Sequence, residues 1–338
     1  MTQPDEVTSG AWRRPVLRSV VPVVEASRHV VTSHDAIAAV AGWMAYEEFP
    51  LAHGQMVGPF DFGSDPATIT DVTLLTGALD FAFTDFETGV RFETEYLGRT
   101  WEDAEAMFAC VHEAFNRGVP LLDGGYLASV RRGDLEDVFR GNIEMPMLDE
   151  RVEILNAIGA VLIDRHRGRF HEFVSSCAPA MYADGDGLLE RMIVEFPRFN
   201  DVSLYDGRQV QLHKLAQLSL WSLHRARHGS GAWALRDLGD MTAFADYIVP
   251  VALRVMGILE YTSDLEDRIE AGRPIARDSE EEVEIRANTL YATALLTDQI
   301  NRIRPSHLRL VIPQVDYRLW SMYHASVRRH HLTRTIMY

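Results

Sequence analysis

This 338-residue sequence has little cysteine and no long apolar run. Its two cysteines, Cys110 and Cys177, lie far apart in the chain, which excludes a disulfide framework and a C-x-x-C zinc site. The first residues lack the apolar core of a signal peptide, and no stretch approaches the ~20 apolar residues that span a bilayer. We therefore expect a protein of the reducing cytoplasm with no membrane partner.

Motifs that bind phosphate groups or activate a serine nucleophile are also missing. The patterns G-x-G-x-x-G, G-x-x-x-x-G-K-[ST] and G-x-S-x-G do not occur. The charge balance is acidic, because 33 Lys and Arg residues stand against 49 Asp and Glu residues and give a formal net charge of −16. Nucleic-acid binding depends on basic side chains that displace counterions. We expect no nucleic-acid polymer as partner, whereas a small phosphorylated ligand needs only a local basic pocket.

Helical patterns fill most of the chain. Ser33 is predicted to cap one helix and Ser279 another, the latter in a capping box with Glu282. Thr100 is predicted to cap a helix that ends near Gly118. The sequence therefore predicts a mostly α fold.

One segment has the pattern of strands. Residues 80–98 alternate apolar and polar side chains on either side of Thr88 and Gly89, which predicts a β-hairpin. Residues 1–13 are polar and have the composition of a flexible tail. We expect a single helical domain over 14–338, with the hairpin inserted at about 80–98.

Two carboxylates with aromatic neighbours mark the candidate active site. FPRFNDV (196–202) places Asp201 two residues after Phe199, and MTAFADYIVP (241–250) places Asp246 beside Tyr247. A helical hairpin between these segments would bring the carboxylates together. Paired carboxylates suit a reaction through a cationic transition state, such as one at an anomeric carbon.

A structural role for the same carboxylates is the alternative. Asp201 would then cap a turn and Asp246 would be a solvated helix residue, and spacing alone favours this interpretation. The neighbours of Asp246 are apolar, however, so a partly buried position is expected, in which the carboxylate must find partners.

Candidate phosphate-binding residues are few. Lys214 is the only lysine in the chain, and it lies on a helix with an apolar face. His331 and Arg334 lie near the C-terminus. Lys214 could instead be a surface residue whose stem covers apolar groups.

A metal-dependent alternative comes from DLED, where Asp264 and Asp267 resemble the start of a D-x-x-D magnesium site. A helical protein of this length could be a class I terpenoid cyclase. The aspartate motif of those enzymes is denser, and their second metal motif is incomplete here. An exposed amphipathic helix is the better interpretation of this segment.

Several motifs in combination resemble the queuosine salvage proteins, the queuosine 5′-phosphate N-glycosylase/hydrolase family. The resemblance covers about 41–338, and its motifs are FPRFNDVSLYDGRQV, HKLAQ, MTAFADYIVPVAL, YTSDL, EEVEIRANTLY, VDYRLW and the terminal TRTIMY. It implies a helical core similar to that of DNA glycosylases. It also implies hydrolysis of queuosine 5′-monophosphate to queuine and ribose 5-phosphate, with no metal and no cofactor.

The resemblance also implies residue roles. Asp201 matches the catalytic carboxylate, Phe199 an aromatic wall against the base, and Asp246 with Tyr247 the segment that lines the base pocket. Glu47 is a departure, because eukaryotic relatives have His four residues after the position of Trp43. A carboxylate there could pair with the cationic amine of queuosine's side arm.

Two further functions remain as alternatives at this point. A non-catalytic protein that binds queuosine nucleotides would leave the glycosidic bond intact. The terpenoid cyclase would require magnesium. We expect a monomer whose partner is the free nucleotide.

Overall fold

The computed structural model describes residues 8–49, 59–228, 233–323 and 328–338, and helices dominate these ranges. No helix in them is long and apolar enough to cross a membrane. The helices are α1 (Pro15–Ala26), α2 (His34–Met44), α3 (Pro66–Ala78), α4 (Asp103–Asn116), α5 (Gly124–Leu127), α6 (Arg132–Val138), α7 (Leu148–Arg165), α8 (Phe170–Ser175), α9 (Leu188–Glu195), α10 (Lys214–His228), α11 (Val249–Val255), α12 (Ser263–Glu270), α13 (Glu280–Ile303) and α14 (Ile312–Tyr323).

Six short strands form three antiparallel pairs in the same ranges. They are β1 (Val30–Thr32) with β6 (Leu259–Tyr261), β2 (Glu93–Tyr96) with β3 (Arg99–Glu102), and β4 (Val202–Tyr205) with β5 (Arg208–Gln211). The predicted mostly α fold with a small β element is confirmed.

Contacts group the chain into two compact units. Among the described residues, the first unit comprises 8–49, 201–217, 237–323 and 328–334, and the second comprises the rest. The single domain predicted for 14–338 stays a prediction. Part of the predicted tail lies outside the described residues, but Gly10–Arg13 form a 3-10 turn. Trp12 in that turn donates a hydrogen bond from Nε1 to Asp298 (2.7 Å).

Helix α13 is the centre of the first unit. It packs against α1, α2, α11 and α14. Ser279 accepts the predicted hydrogen bond from Glu282 N, but Glu282 Oε2 accepts from Asp278 N (3.2 Å) and Ser279 N donates to Ala276 O, so the reciprocal half of the predicted capping box is not formed. Three glutamates occupy the positive first turn. Most of its residues are buried, polar ones included, so each polar group needs an internal partner. Glu284, for example, accepts hydrogen bonds from three successive main-chain N–H groups of residues 28–30 and from Tyr205 Oη.

The second unit contains the predicted hairpin. Thr84 and Arg91 pair across the turn, and Phe92 N donates to Phe83 O (2.8 Å). Strand pairing continues beyond 98, however, because β2 and β3 form a second hairpin that ends at Glu102. The predicted cap at Thr100 is wrong, since Thr100 pairs with Glu95 in this ladder and α4 begins only at Asp103.

Arg151 on α7 anchors a loop of the second unit. Its guanidinium is fully buried and donates to the carbonyl oxygens of Pro146, Leu79, Phe81 and Ala82. These carbonyls belong to irregular backbone that has no ladder to satisfy it. The Arg151 guanidinium therefore supplies the hydrogen-bond donors that a helix or a strand partner would otherwise supply to these carbonyl oxygens.

We expect Arg151→Met to lower the free energy of unfolding by about 3 kcal/mol or more, because several buried carbonyls would lose their donors. Urea unfolding followed by circular dichroism measures the change. Arg132→Met is the matched control. The Arg132 side chain is 41% exposed and pairs with Glu136, Glu144 and Asp149, so its loss is expected to destabilise the fold far less than the loss of Arg151. Equal losses in the two variants would contradict the anchoring role.

Candidate active site

Asp201 is fixed where the β4–β5 hairpin meets α10. Its carbonyl oxygen accepts hydrogen bonds from Leu212 N (3.0 Å) and His213 N (3.1 Å). His213 has a positive φ of 47°, a conformation that non-glycine residues adopt rarely and that marks a constrained site. These two hydrogen bonds place Asp201 next to the residues that precede α10.

The Asp201 carboxylate is buried, with 2% of the residue exposed, and it forms an ion pair with Arg286. Arg286 Nη1 donates to Oδ1 (3.1 Å) and Nη2 donates to Oδ2, while Lys214 N also donates to Oδ2 (3.3 Å). Burial alone would raise the pKa of Asp201. The charge and hydrogen bonds of Arg286 outweigh burial, so the pKa lies below its usual value and Asp201 is ionised.

Arg286 also joins the two segments that the sequence singled out. Its Nε donates to the carbonyl oxygen of Ala245 (3.1 Å), the residue before Asp246. The same guanidinium thus binds the Asp201 carboxylate and the main chain beside Asp246. The two segments meet, and the residue that connects them lies on α13, which the sequence had not singled out.

Residues 241–246 are buried but form neither helix nor strand. Side chains from the surrounding helices satisfy their main-chain groups. Gln217 Oε1 on α10 accepts from Thr242 N (3.0 Å), and Asp316 Oδ2 on α14 accepts from Phe244 N (2.8 Å). With Arg286 on α13, three helices hold this irregular segment in place.

Asp246 is nearly buried, with 9% of the residue exposed, as its apolar neighbours predicted. Its Oδ1 accepts hydrogen bonds from Ile248 N and Val249 N, both at 2.9 Å, and so satisfies main-chain donors where α11 begins. Pro250 lies in the first turn of that helix, where a missing N–H costs nothing. Beside Asp246, the half-buried Tyr247 ring packs on the His330 ring, with centroids 4.5 Å apart.

The predicted phosphate-binding residues have different surroundings. Lys214, the first residue of α10, is buried, and so is His331, whereas Arg334 is exposed. Burial lowers the pKa of His331 to about 3, with the charges of His330, Arg286 and Arg254 acting in the same direction, so His331 is neutral. His331 and Thr333 are buried, Leu332 is half-buried and Arg334 is exposed, which places His331 and Arg334 on different faces of the terminal segment.

Phe199 and Glu47 have partners of their own. Phe199 belongs to the second unit, has no exposed surface and packs edge-on against Phe196 at 6.4 Å between centroids. In this conformation its ring offers no free face to a base. Glu47 is half-buried and pairs with Arg318 (2.8 Å), so a cationic ligand at Glu47 would share the carboxylate with that arginine.

Three residues that hold the site were missed in the sequence: Arg286, Gln217 and Asp316. Each lies in a motif that carried the family resemblance, namely EEVEIRANTLY, HKLAQ and VDYRLW. A charged or amide side chain within an apolar helical pattern was the available signal, because such a group must find a buried partner.

Metal-binding arrangements find little support in the described ranges. Asp264 and Asp267 are exposed on α12, in agreement with the amphipathic-helix interpretation. One group, His29, Glu280 and Glu284, has donor atoms close enough together to hold an ion. The four hydrogen bonds that Glu284 already accepts occupy both its oxygens, which disfavours a metal there.

Comparison with known proteins identifies the family. The sequence model described as "Queuosine salvage protein" matches residues 61–338. The chain belongs to the queuosine salvage protein family.

Relatives from several organisms carry the name "Queuosine 5'-phosphate N-glycosylase/hydrolase". A relative from Sphaerobacter thermophilus is 35% identical over 330 residues, which cover 96% of this chain and 98% of the relative. A relative from Mus musculus is 26% identical over 314 residues, covering 88% and 89% of the two chains. One from Schizosaccharomyces pombe is 28% identical over 237 residues, covering 69% and 66%.

Membership of the queuosine salvage family confirms the resemblance found in the sequence and leaves the terpenoid cyclase alternative without support. Asp201, Asp246 and the C-terminal residues lie within the matched range, whereas Glu47 precedes it. The roles of the individual residues stay predictions.

The neutral state of His331 predicts a distinctive acid sensitivity. The pKa of His331 is about 3 in the folded state and near 6.5 in the unfolded state. Below pH 6.5 the unfolded chain therefore binds a proton that the folded protein does not bind, and the free energy of unfolding falls as pH decreases towards 3. We expect His331→Gln to remove on the order of 3 kcal/mol of the acid-dependent loss between pH 6.5 and 3. The measurement is urea unfolding across that range. His307→Gln, at an exposed position, is the control. If the free energy of unfolding depends on pH in the same way for the wild type and for His331→Gln, then burial does not keep His331 neutral.

The Asp201–Arg286 pair predicts strong coupling. We expect Asp201→Asn to lower the free energy of unfolding by about 3–5 kcal/mol, because it removes the anion that binds a buried cation through two hydrogen bonds. We expect Asp201→Asn with Arg286→Met to lose less than the sum of the single changes. Since the pKa of Asp201 is lowered, its contribution is present above 3.8 and disappears as pH falls below that value. A double-mutant cycle by urea unfolding measures the coupling, and additive losses would exclude it.

Proposed function

We propose that this protein hydrolyses the N-glycosidic bond of queuosine 5′-monophosphate, releasing queuine for reuse in tRNA modification. The observation that carries the proposal is the alignment with a relative of that activity over 98% of its length, at 35% identity. The products are queuine and ribose 5-phosphate, and the reaction uses neither metal nor cofactor.

The chemistry requires a negative charge beside the sugar. Cleavage of an N-glycosidic bond passes through a state resembling an oxocarbenium ion, which a buried carboxylate stabilises. The leaving base is a 7-deazaguanine and has no N7 to protonate. Charge stabilisation at the sugar therefore carries more of the catalysis than it does for ordinary purine nucleotides.

Asp201 and Asp246 are suited to different parts of this task. Both oxygens of Asp201 bind the Arg286 cation, which offsets its negative charge. Asp246 Oδ1 is held by two main-chain N–H groups, which orient the carboxylate, and Asp246 is more exposed than Asp201, at 9% against 2%. This contrast supports Asp246 as the carboxylate that faces the sugar. Asp201, the carboxylate predicted to be catalytic, then acts with Arg286 to hold the Asp246 segment.

The other predicted residues complete the proposal. Tyr247 lies beside Asp246 and borders the base, and Lys214 and the neutral His331 bind the phosphate from buried positions. Phe199, Glu47 and Arg334 are retained as weaker candidates for base, side-arm and phosphate contacts, because Phe199 is covered, Glu47 is paired and Arg334 is exposed. The substrate is a free nucleotide bound by a monomer.

A product assay tests the proposal. Purified protein with queuosine 5′-monophosphate and a metal chelator is expected to release queuine, followed by mass spectrometry. Asp246→Asn is expected to lower kcat/KM by about 10³-fold or more, as for loss of a group that acts in the transition state. Asp264→Asn, an exposed change on α12, serves as the matched control and is expected to leave the rate unchanged.

Two outcomes would redirect the interpretation. Nucleotide that binds but is not cleaved would favour the alternative of a queuosine-nucleotide binding protein. Full activity in Asp246→Asn together with a folded but inactive Asp201→Asn would return the catalytic role to Asp201. Circular dichroism and thermal unfolding of each variant separate lost chemistry from lost structure.

A further inference from the structure

A cluster of three charged side chains lies where the C-terminal residues meet α11 and α12. Glu266 on α12 forms an ion pair with Arg254 on α11, with 2.5 Å between Oε1 and Nη2. The same oxygen accepts a hydrogen bond from Nη2 of Arg328, the first residue described after α14. One carboxylate therefore joins two helices to the C-terminal residues.

Arg254 makes a second contact to the C-terminal residues. Its Nη1 donates a hydrogen bond to the carbonyl oxygen of Arg329 (3.2 Å). The Arg254 side chain is only 3% exposed, and its guanidinium carbon lies 4.6 Å from the centroid of the Tyr261 ring. The cluster is thus shielded from water on the Arg254 side, unlike the fully exposed ion pairs that contribute little to stability.

Further contacts attach residues 328–332 to the chain beyond α12. Ile275 N donates a hydrogen bond to Leu332 O (2.8 Å). Gly272 has a φ of 65°, and a Cβ at that position would lie 2.7 Å from Arg329 Nη1, so the Arg329 side chain covers this turn. Residues 328–332 are therefore held at both ends and in the middle.

These residues reach the candidate active site through His330. The His330 ring packs on the Tyr247 ring, with centroids 4.5 Å apart and planes inclined by 33°. Its Nδ1 donates a hydrogen bond to the carbonyl oxygen of His331 (2.8 Å), which orients the ring. The position of the Tyr247 ring therefore depends on where residues 328–332 are held.

Glu266 carries the charge that the cluster needs. Burial alone would raise the pKa of Glu266. The hydrogen bonds and charges of Arg328 and Arg254 outweigh burial, so the pKa lies below its usual value and Glu266 is ionised at neutral pH.

We propose that Glu266 is a positioning residue of the active site, which acts through Arg254 and Arg328 to hold residues 328–332 so that His330 fixes the Tyr247 ring. The effect on the reaction rests on the proposed function, whereas the attachment of residues 328–332 does not. A ring that is already fixed binds the base without losing further conformational freedom. Glu266 therefore acts on substrate binding rather than on the chemical step.

Limited proteolysis without substrate tests the attachment. Trypsin cleaves the peptide bond after arginine, and the carbonyl oxygen of the exposed Arg329 is held by Arg254. We expect Glu266→Gln to speed cleavage between Arg329 and His330 about tenfold or more, because cleavage follows the fraction of molecules in which this segment is open. Mass spectrometry of the chain that lacks residues 330–338 measures the rate.

Asp267→Asn is the matched control, because Asp267 is exposed and is the next residue of α12. It is expected to be cleaved at the rate of the wild type. Equal rates for Glu266→Gln and the wild type would overturn the proposal.

Steady-state kinetics test the positioning role. We expect Glu266→Gln to raise KM for queuosine 5′-monophosphate about tenfold and to keep kcat within about threefold of the wild type, because the loosened Tyr247 ring must be ordered when the base binds. A role in stability alone would lower the amount of folded enzyme, and so the apparent kcat, without changing KM. Reduced kcat with an unchanged KM would therefore contradict the positioning role.

Arg328→Gln is a second variant for the case that Glu266→Gln does not fold, which circular dichroism shows. Its side chain is 38% exposed, and the change leaves the pair of Arg254 and Glu266 in place. The bond after Arg329 remains a site for trypsin. We expect cleavage there and KM both to rise about threefold, since one of the contacts to residues 328–332 is lost. A folded Arg328→Gln with wild-type cleavage and KM would also overturn the proposal.

The two measurements separate the possible failures. If the wild type releases no queuine, the proposed function is wrong, and the trypsin rates still decide whether Glu266 holds residues 328–332. If the wild type is active and Glu266→Gln is cleaved faster but has an unchanged KM, the positioning role is wrong and the proposed function is unaffected.

Discussion

The ion pair between Arg286 and Asp201 holds together the parts of the first unit that carry the proposed chemistry. A buried guanidinium is stable only where anions or carbonyl oxygens accept its N–H groups. Here Asp201 supplies the anion and Ala245 supplies a carbonyl oxygen, so one side chain binds two segments that are distant in the sequence. Lysine could not take its place, because the two contacts need the planar, multi-donor geometry of arginine.

This constraint explains the different surroundings of the two carboxylates. Asp201 is the counterion that stabilises Arg286 in the interior, and the Arg286 cation offsets its negative charge. Asp246 takes its position from the segment that Arg286 holds, and its own contacts to Ile248 and Val249 come from neutral main chain. The carboxylate that serves the fold and the carboxylate proposed for catalysis thus depend on the same arginine.

Local features of the fold could be predicted from the sequence. Ser33 and Ser279 cap helices as expected, because a cap depends on residues three positions away. Thr100 has the same local pattern and fails, because pairing with Glu95 across a tight turn competes with it. Local propensity gives way wherever a longer-range contact satisfies the same main-chain groups.

The candidate site could be predicted only in part. Asp201 and Asp246 stood out as carboxylates among aromatic and apolar neighbours. Arg286 did not, because it is one of many arginines and its partner Asp201 lies 85 positions away. His331 and Arg334 are close in sequence, yet the extended terminal segment turns them to different faces. Separation along the chain, in both cases, says little about which side chains meet.

The irregular segment 241–246 has a consequence for the order of folding. Its main chain depends on Gln217, Arg286 and Asp316, which lie on three helices. None of these contacts is local, so the segment gains its hydrogen bonds only after α10, α13 and α14 have assembled, and long loops must close first. The region proposed for catalysis is therefore among the last parts of the first unit to become ordered, and a chain that has reached α13 during synthesis but not α14 has not yet formed it.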